Sequence, residues 1–178
     1  MTNNLETSAE ASIAKNRTLV ERIQMYVPFY RGYKQKNLRR DEDRAIRDVV
    51  TKVLQAAKTD LANAARATLG DLDAMRDLER IRSKVDRYQT DVKKAVGGYS
   101  GVRESVKVLE SELDRVISWD AHLIEDVELL KEQTQQMVSD MDQGLSIKSD
   151  MRTIEQTIDD LINTFRERDN IMKNLVEE

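Results

Sequence analysis

A chain of 178 residues with no cysteine and one histidine has no thiol for a disulfide and too few soft ligands for an ordinary transition-metal site. Charged residues are 35% of it and aromatic residues 4%, with 6 Gly and 1 Pro, which suits long amphipathic helices and leaves no alternating β-branched run for a strand. The formal net charge of −4 is unevenly spread, residues 1–101 carrying 20 Lys/Arg against 14 Asp/Glu and residues 102–178 carrying 9 against 19. Either the two halves neutralise each other within one chain, or subunits associate head to tail or offer different partners at each end. No apolar run reaches the length of a membrane span, and the polar start MTNNLETSAEAS does not read as a signal peptide. The expectation is a cytoplasmic protein, with association at a membrane surface left open.

Taken in order, Ile13, Val20, Ile23 and Val27 keep helical spacing and predict a helix from about Ser8 to Tyr26. Pro28 cannot donate a helical hydrogen bond and biases Val27 away from helical angles, so a break belongs there. The connector that follows, Tyr26 to Arg40, holds four of the eight aromatic residues and five basic residues with no acid. Its candidate docking residues are Tyr26, Phe29, Tyr30, Arg31, Tyr33, Lys34, Lys36, Arg39 and Arg40. Rings interleaved with cations suit an anionic headgroup layer or a protein surface. They also suit single-stranded nucleic acid, which the acidic overall charge argues against. The structural alternative is a corner between helices, with rings capping the bundle. Asp41, Glu42 and Asp43 then favour a helix start, because carboxylates meet the positive end of the helix dipole.

A second helix begins near Asn37, with Ile46, Val49, Val50, Val53, Leu54, Leu61 and Leu69 on its apolar face. Gly70-Asp71 has the form of a C-terminal glycine and a new N-cap. However, Leu61, Thr68, Leu72 and Met75 keep nearly continuous phase across it, and one glycine is short for a reversal. The expectation is therefore a continuous or slightly kinked helix to about Val96, seamed by Leu78, Ile81, Val85, Tyr88 and Val92. Gly97-Gly98-Tyr99-Ser100-Gly101 should reverse the chain. Helix 102–143 returns with apolar residues at alternating four- and three-residue steps from Val102 to Met141, interrupted by Asp120 and Thr134. Gly144 marks a further break. A last helix, about 148–176, carries Met151, Ile154, Ile158, Leu161, Phe165, Met172 and Leu175, with Arg168 where an apolar residue is expected.

These elements predict an all-α fold: an elongated helical bundle or antiparallel coiled-coil hairpin with flanking N- and C-terminal helices. Residues 1–36 would form the N-terminal helix and connector, and 37–178 the hairpin with the C-terminal helix, in one structural unit. No catalytic constellation accompanies His122, since neither Asp120 nor Glu125 is placed to make a compact site with it. Neither metal, cofactor nor small-molecule substrate is expected. Asp120 either fixes register at a seam position, or lies at a locally exposed point where Trp119 takes over the packing. Arg168 and Asp120 stand almost equally far from the turn near 145, so an antiparallel pair of helices would oppose them. The functional expectation is a non-enzymatic coiled-coil scaffold or adaptor that binds a protein partner or itself. The alternative is a peripheral membrane protein docking on anionic lipid through residues 26–40.

Overall fold

The computed structural model describes residues 17–35, 38–95 and 110–177, and among these every regular element is helical. Helix α1 covers 17–24, followed by α2 (Arg39–Ala67), α3 (Leu72–Lys94), α4 (Glu110–Asp142) and α5 (Lys148–Glu177). The glycine turn expected at 97–101, the start of the helix expected at 102 and the first residues of the N-terminal helix lie outside the described residues. Packing groups the chain into two compact units. Unit 1 is built from Met1–Ile46, Gly97–His122 and Glu167–Glu178, and unit 2 from Arg47–Val96 and Leu123–Arg166.

Unit 2 is a four-helix arrangement whose directions follow from its polar contacts. Lys58 on α2 pairs with Asp86 on α3, and the Gln89 amide donates to the Thr51 carbonyl at 3.1 Å, so α2 and α3 run antiparallel. Arg80 pairs with Glu155 and Lys84 with Asp159 at 2.7 Å, while Tyr88 packs edge-on against Phe165, so α3 and α5 run parallel. The short connector 143–147 makes α4 and α5 antiparallel neighbours. The expected seams supply the core: Leu54 and Leu61, Leu78 and Val85, Val127 and Leu130, and Ile154 and Ile158 are all buried. Each such side chain contributes about 1.5–3 kcal/mol relative to exposure. Both halves of the charge distribution meet here, basic α3 residues pairing with acidic α5 residues of the same chain.

The join between α2 and α3 departs from expectation. The helix does not continue through Gly70; it stops at Ala67 and the chain reverses over 68–71. Thr68 turns its hydroxyl back onto the Ala64 carbonyl at 3.0 Å, and Asp71 NH bonds the Thr68 carbonyl at 2.8 Å. The Asp71 carboxylate then accepts from the backbone N–H groups of Asp73 and Ala74 at 3.1 and 3.0 Å, capping α3. Apolar phase misled because Leu69 and Leu72 are 71% and 60% exposed and belong to no buried stripe. The α4 terminus follows the glycine signal instead. Gly144, at φ 72, lets Leu145 NH reach Asp140 O and Gly144 NH reach Met141 O, the paired bonds of a Schellman motif. Near Pro28, α1 ends in a tightened turn, Tyr26 NH bonding Ile23 O at 3.0 Å.

Two predictions test this architecture. Replacing Asp71 by Ala should cost about 1 kcal/mol in urea unfolding, whereas Gly70→Ala, with nothing within 4 Å of its added methyl, should be neutral or stabilising. A continuous helix would show no penalty at Asp71. The second concerns Glu155, whose carboxyl is held below its ordinary range chiefly by the Arg80 hydrogen bond and then by Lys84. A lowered folded pKa gives stability that is present above the unfolded value and is lost as pH falls through the folded one. Glu155→Gln should therefore lose less than about 1 kcal/mol at pH 7 and converge with the parent in acid.

Candidate functional site

Unit 1 contains the most concentrated polar chemistry among the described residues, and the connector after α1 builds it. Gly32 and Tyr33 both adopt left-handed backbone angles, φ 65 and 60. At Gly32 the need is steric as well, since an added methyl would lie 2.6 Å from Ile117 Cδ1 on α4. Tyr33 bears a side chain in a conformation that disfavours one, so something must hold it. The Glu42 carboxylate does so, accepting from Arg31 NH at 2.8 Å and Tyr33 NH at 2.7 Å. Arg39 Nε donates to the Tyr33 carbonyl at 2.6 Å, and the Gln24 amide donates to the Tyr30 carbonyl at 2.7 Å. Four backbone groups of the turn, Arg31 NH, Tyr33 NH and the Tyr30 and Tyr33 carbonyls, thus find a side chain from α1 or α2.

The bend drives two tyrosines inward, their rings edge-on with centroids 5.4 Å apart. Both hydroxyls donate to the same oxygen of Asp120 on α4, Tyr30 at 2.8 Å and Tyr33 at 2.6 Å. Arg168 on α5 approaches from the other side. Its Nε donates to Asp120 Oδ1 at 2.5 Å, and its Nη2 donates to the Tyr33 hydroxyl at 2.8 Å and pairs with Asp43 at 2.9 Å. Tyr30, Tyr33, Glu42 and Asp120 are wholly buried, and Arg168 is 2% exposed. Burial, reinforced by the Asp120 charge, pushes both phenols well above their ordinary range, although Arg168 works against this. Burial alone would weaken the Arg168 guanidinium, but Asp120, Tyr33 and Asp43 hold it more firmly protonated than usual. Burial also raises the Glu42 carboxyl, offset in part by the two backbone N–H groups. With both phenols above their range and donating to one carboxylate, the arrangement is a closed clasp: every polar atom named is already partnered.

The nine connector residues singled out by sequence therefore divide. Tyr30, Tyr33 and Arg39 are buried, and the clasp and the turn engage their side chains. Arg31, Lys34 and Arg40 are exposed, and Tyr26 and Phe29 remain 37% and 42% exposed. Lys36 lies outside the described residues. Asp120 and Arg168 are brought together, and Asp120 is not at an exposed point of the seam. His122 is exposed, edge-on to Trp119 with centroids 5.8 Å apart. Sequence pattern assigns Glu42 and Asp43 to the helix dipole alongside Asp41, but only Asp41 stays exposed in the first turn. A signal was present: Arg39, Asp43, Ile46, Val50 and Leu54 recur at steps of three and four, placing ionic residues on the buried stripe of α2. Among the described residues no group of three or more His, Asp or Glu is placed to hold a metal ion. Nor is any described helix long and apolar enough to cross a membrane.

Removing the central cation should be severe. Arg168→Met should cost about 3–5 kcal/mol by removing from the buried Asp120 and Asp43 the guanidinium that both meet. Tyr33→Phe should cost about 1.5–3 kcal/mol. In a double-mutant cycle by urea denaturation, Asp120→Asn and Arg168→Met should couple strongly; additive effects would mean the pair acts independently. No protein-family model, curated protein or solved structure matches the chain, so the role of this clasp follows from its own geometry.

Proposed function

We propose that the chain is a non-enzymatic helical adaptor that docks a protein partner on the outer side of the connector between α1 and α2. One observation carries this reading. Met25, Tyr26 and Phe29 are 80%, 37% and 42% exposed on a backbone that is fastened from beneath by Glu42 and the tyrosine clasp. An apolar side chain on a pre-fixed backbone loses little freedom on binding, which is what a contact anchor requires. Aromatic anchors with basic residues at their rim are the usual makeup of a docking hot spot, the charges adding selectivity and faster encounter. Arg31, Lys34 and Arg40 supply that rim here.

A second reading, docking on anionic lipid, is favoured by a different observation. From Arg22 to Arg40 the sequence has six basic residues and no acid, and such a segment is attracted to a negative leaflet by about 1 kcal/mol per cation near the surface.

Photocrosslinking separates the two. Benzoyl-phenylalanine at position 29 should form a discrete protein adduct that weakens when Arg31, Lys34 and Arg40 become Ser, and the same probe at Gln156 should not. Absence of any protein adduct, together with salt-sensitive sedimentation on phosphatidylglycerol vesicles lost in the Ser variant, would replace the adaptor reading with the lipid one.

A further inference from the structure

Unit 2 carries a second exposed apolar group, at the end where its two short connectors lie. Leu69 and Leu72 flank the α2–α3 reversal at 71% and 60% exposure, and Leu145 follows α4 at 56%. The two connectors are neighbours, because Asp73 and Ala74 of α3 line one groove of about 220 Å³ with Lys148 and Met151 of α5. Three leucines thus stand in water on one end of a four-helix arrangement whose interior is otherwise filled by its seams.

The charge around them is acidic. Residues 66–77 and 139–152 together contain Arg66, Arg76, Lys148 and Arg152 against Asp71, Asp73, Asp77, Asp140, Asp142 and Asp150, 4 minus 6, a balance of −2. One of these acids is poorly accommodated. Asp150 Oδ2 is buried with no hydrogen-bond partner. Burial raises the Asp150 carboxyl, and the nearby Asp140 raises it further. A cation brought to this end would offset the repulsion between Asp140 and Asp150.

The connector face of unit 1 has the complementary makeup: Met25, Tyr26 and Phe29 exposed within an acid-free stretch bearing Arg31, Lys34 and Arg40. We propose that Leu69, Leu72 and Leu145 receive Met25, Tyr26 and Phe29 of a second copy of this chain, basic rim against acidic rim. This rests on the docking role proposed for the connector and names its partner. The contact is heterologous, two different surfaces meeting, so repetition gives a ring or an open chain instead of a closed pair.

Complementation tests it. Two variants are made in the full chain, Met25→Asp with Phe29→Asp, and Leu69→Asp with Leu145→Asp, and helicity is measured on each. All four sites are exposed, so both should keep parental helicity. By light scattering the parent should exceed 20.5 kDa increasingly with concentration, up to about 1 mM, and less so as salt rises. Each variant alone should stay a monomer. Their equimolar mixture should reach a twofold mass and stop there, because each copy retains one intact surface. A parent that remains at 20.5 kDa overturns the inference; a discrete adduct at position 29 to a different protein would then leave the connector's docking role standing. If the connector variant still pairs alone while the leucine variant does not, the leucine ends meet each other and the proposal is wrong. Failure of the mixture to complement overturns it equally.

Discussion

A guanidinium buried to 2% exposure is the constraint on which unit 1 depends. Taking an arginine out of water costs several kcal/mol, and the cost is offset only if the charge is met and the remaining protons are placed. Arg168 meets that condition by gathering Asp120 from α4, Asp43 from α2 and the Tyr33 hydroxyl from the connector. The elements cannot shift independently, since displacing any one leaves a buried charge or phenol unpartnered. An apolar cluster of the same volume would tolerate sliding by a turn; five directed bonds around two carboxylates and a guanidinium do not. We propose register as the role of Asp120 and Arg168 for this reason.

The same constraint accounts for the connector's unusual backbone. Tyr33 would not hold a left-handed angle in isolation, but its hydroxyl is fixed by Asp120 and Arg168, its N–H by Glu42 and its carbonyl by Arg39. Strain at one residue is over-determined from four directions. Gly32, one residue earlier, permits the close approach to Ile117 that brings the ring inward. The turn is thereby held at residues 30–33 from α1, α2, α4 and α5 together.

Legibility from the sequence tracked periodicity. The seams of α3, α4 and α5 were readable because burial repeats at three- and four-residue steps, and Asp120 and Arg168 stood out as breaks in that repeat. Where a signal depended on one residue's local bonding, pattern was a poorer guide. The reversal at 68–71 turns on a single Asp71 side chain and on Thr68, neither of which has a period, while leucines in accidental phase argued the other way. Rings and cations in 26–40 looked alike in sequence. The two rings that turn inward meet Asp120 on α4, far away in sequence, and the pairing of Tyr33 with Glu42 and Arg39 is made by backbone groups that composition does not reveal.

Two small sets of residues depart from the ordinary placement of polar and apolar side chains that the rest of the chain follows. Ionic residues occupy stripe positions of α2, α4 and α5 in unit 1, where they fasten a turn, while leucines and aromatics stand in water at loops of both units. Neither is what stability alone would select: a buried ion pair is often matched by a hydrophobic replacement, and an exposed leucine contributes little to a core. Buried charge favours one arrangement over its neighbours, and exposed apolar side chains on fixed loops favour contact with something outside the chain. The interior ions hold the turn at residues 30–33, directly beside the apolar residues displayed at 25–29. Under the docking role we propose, a defined contact surface would account for both departures together, where fold stability alone accounts for neither.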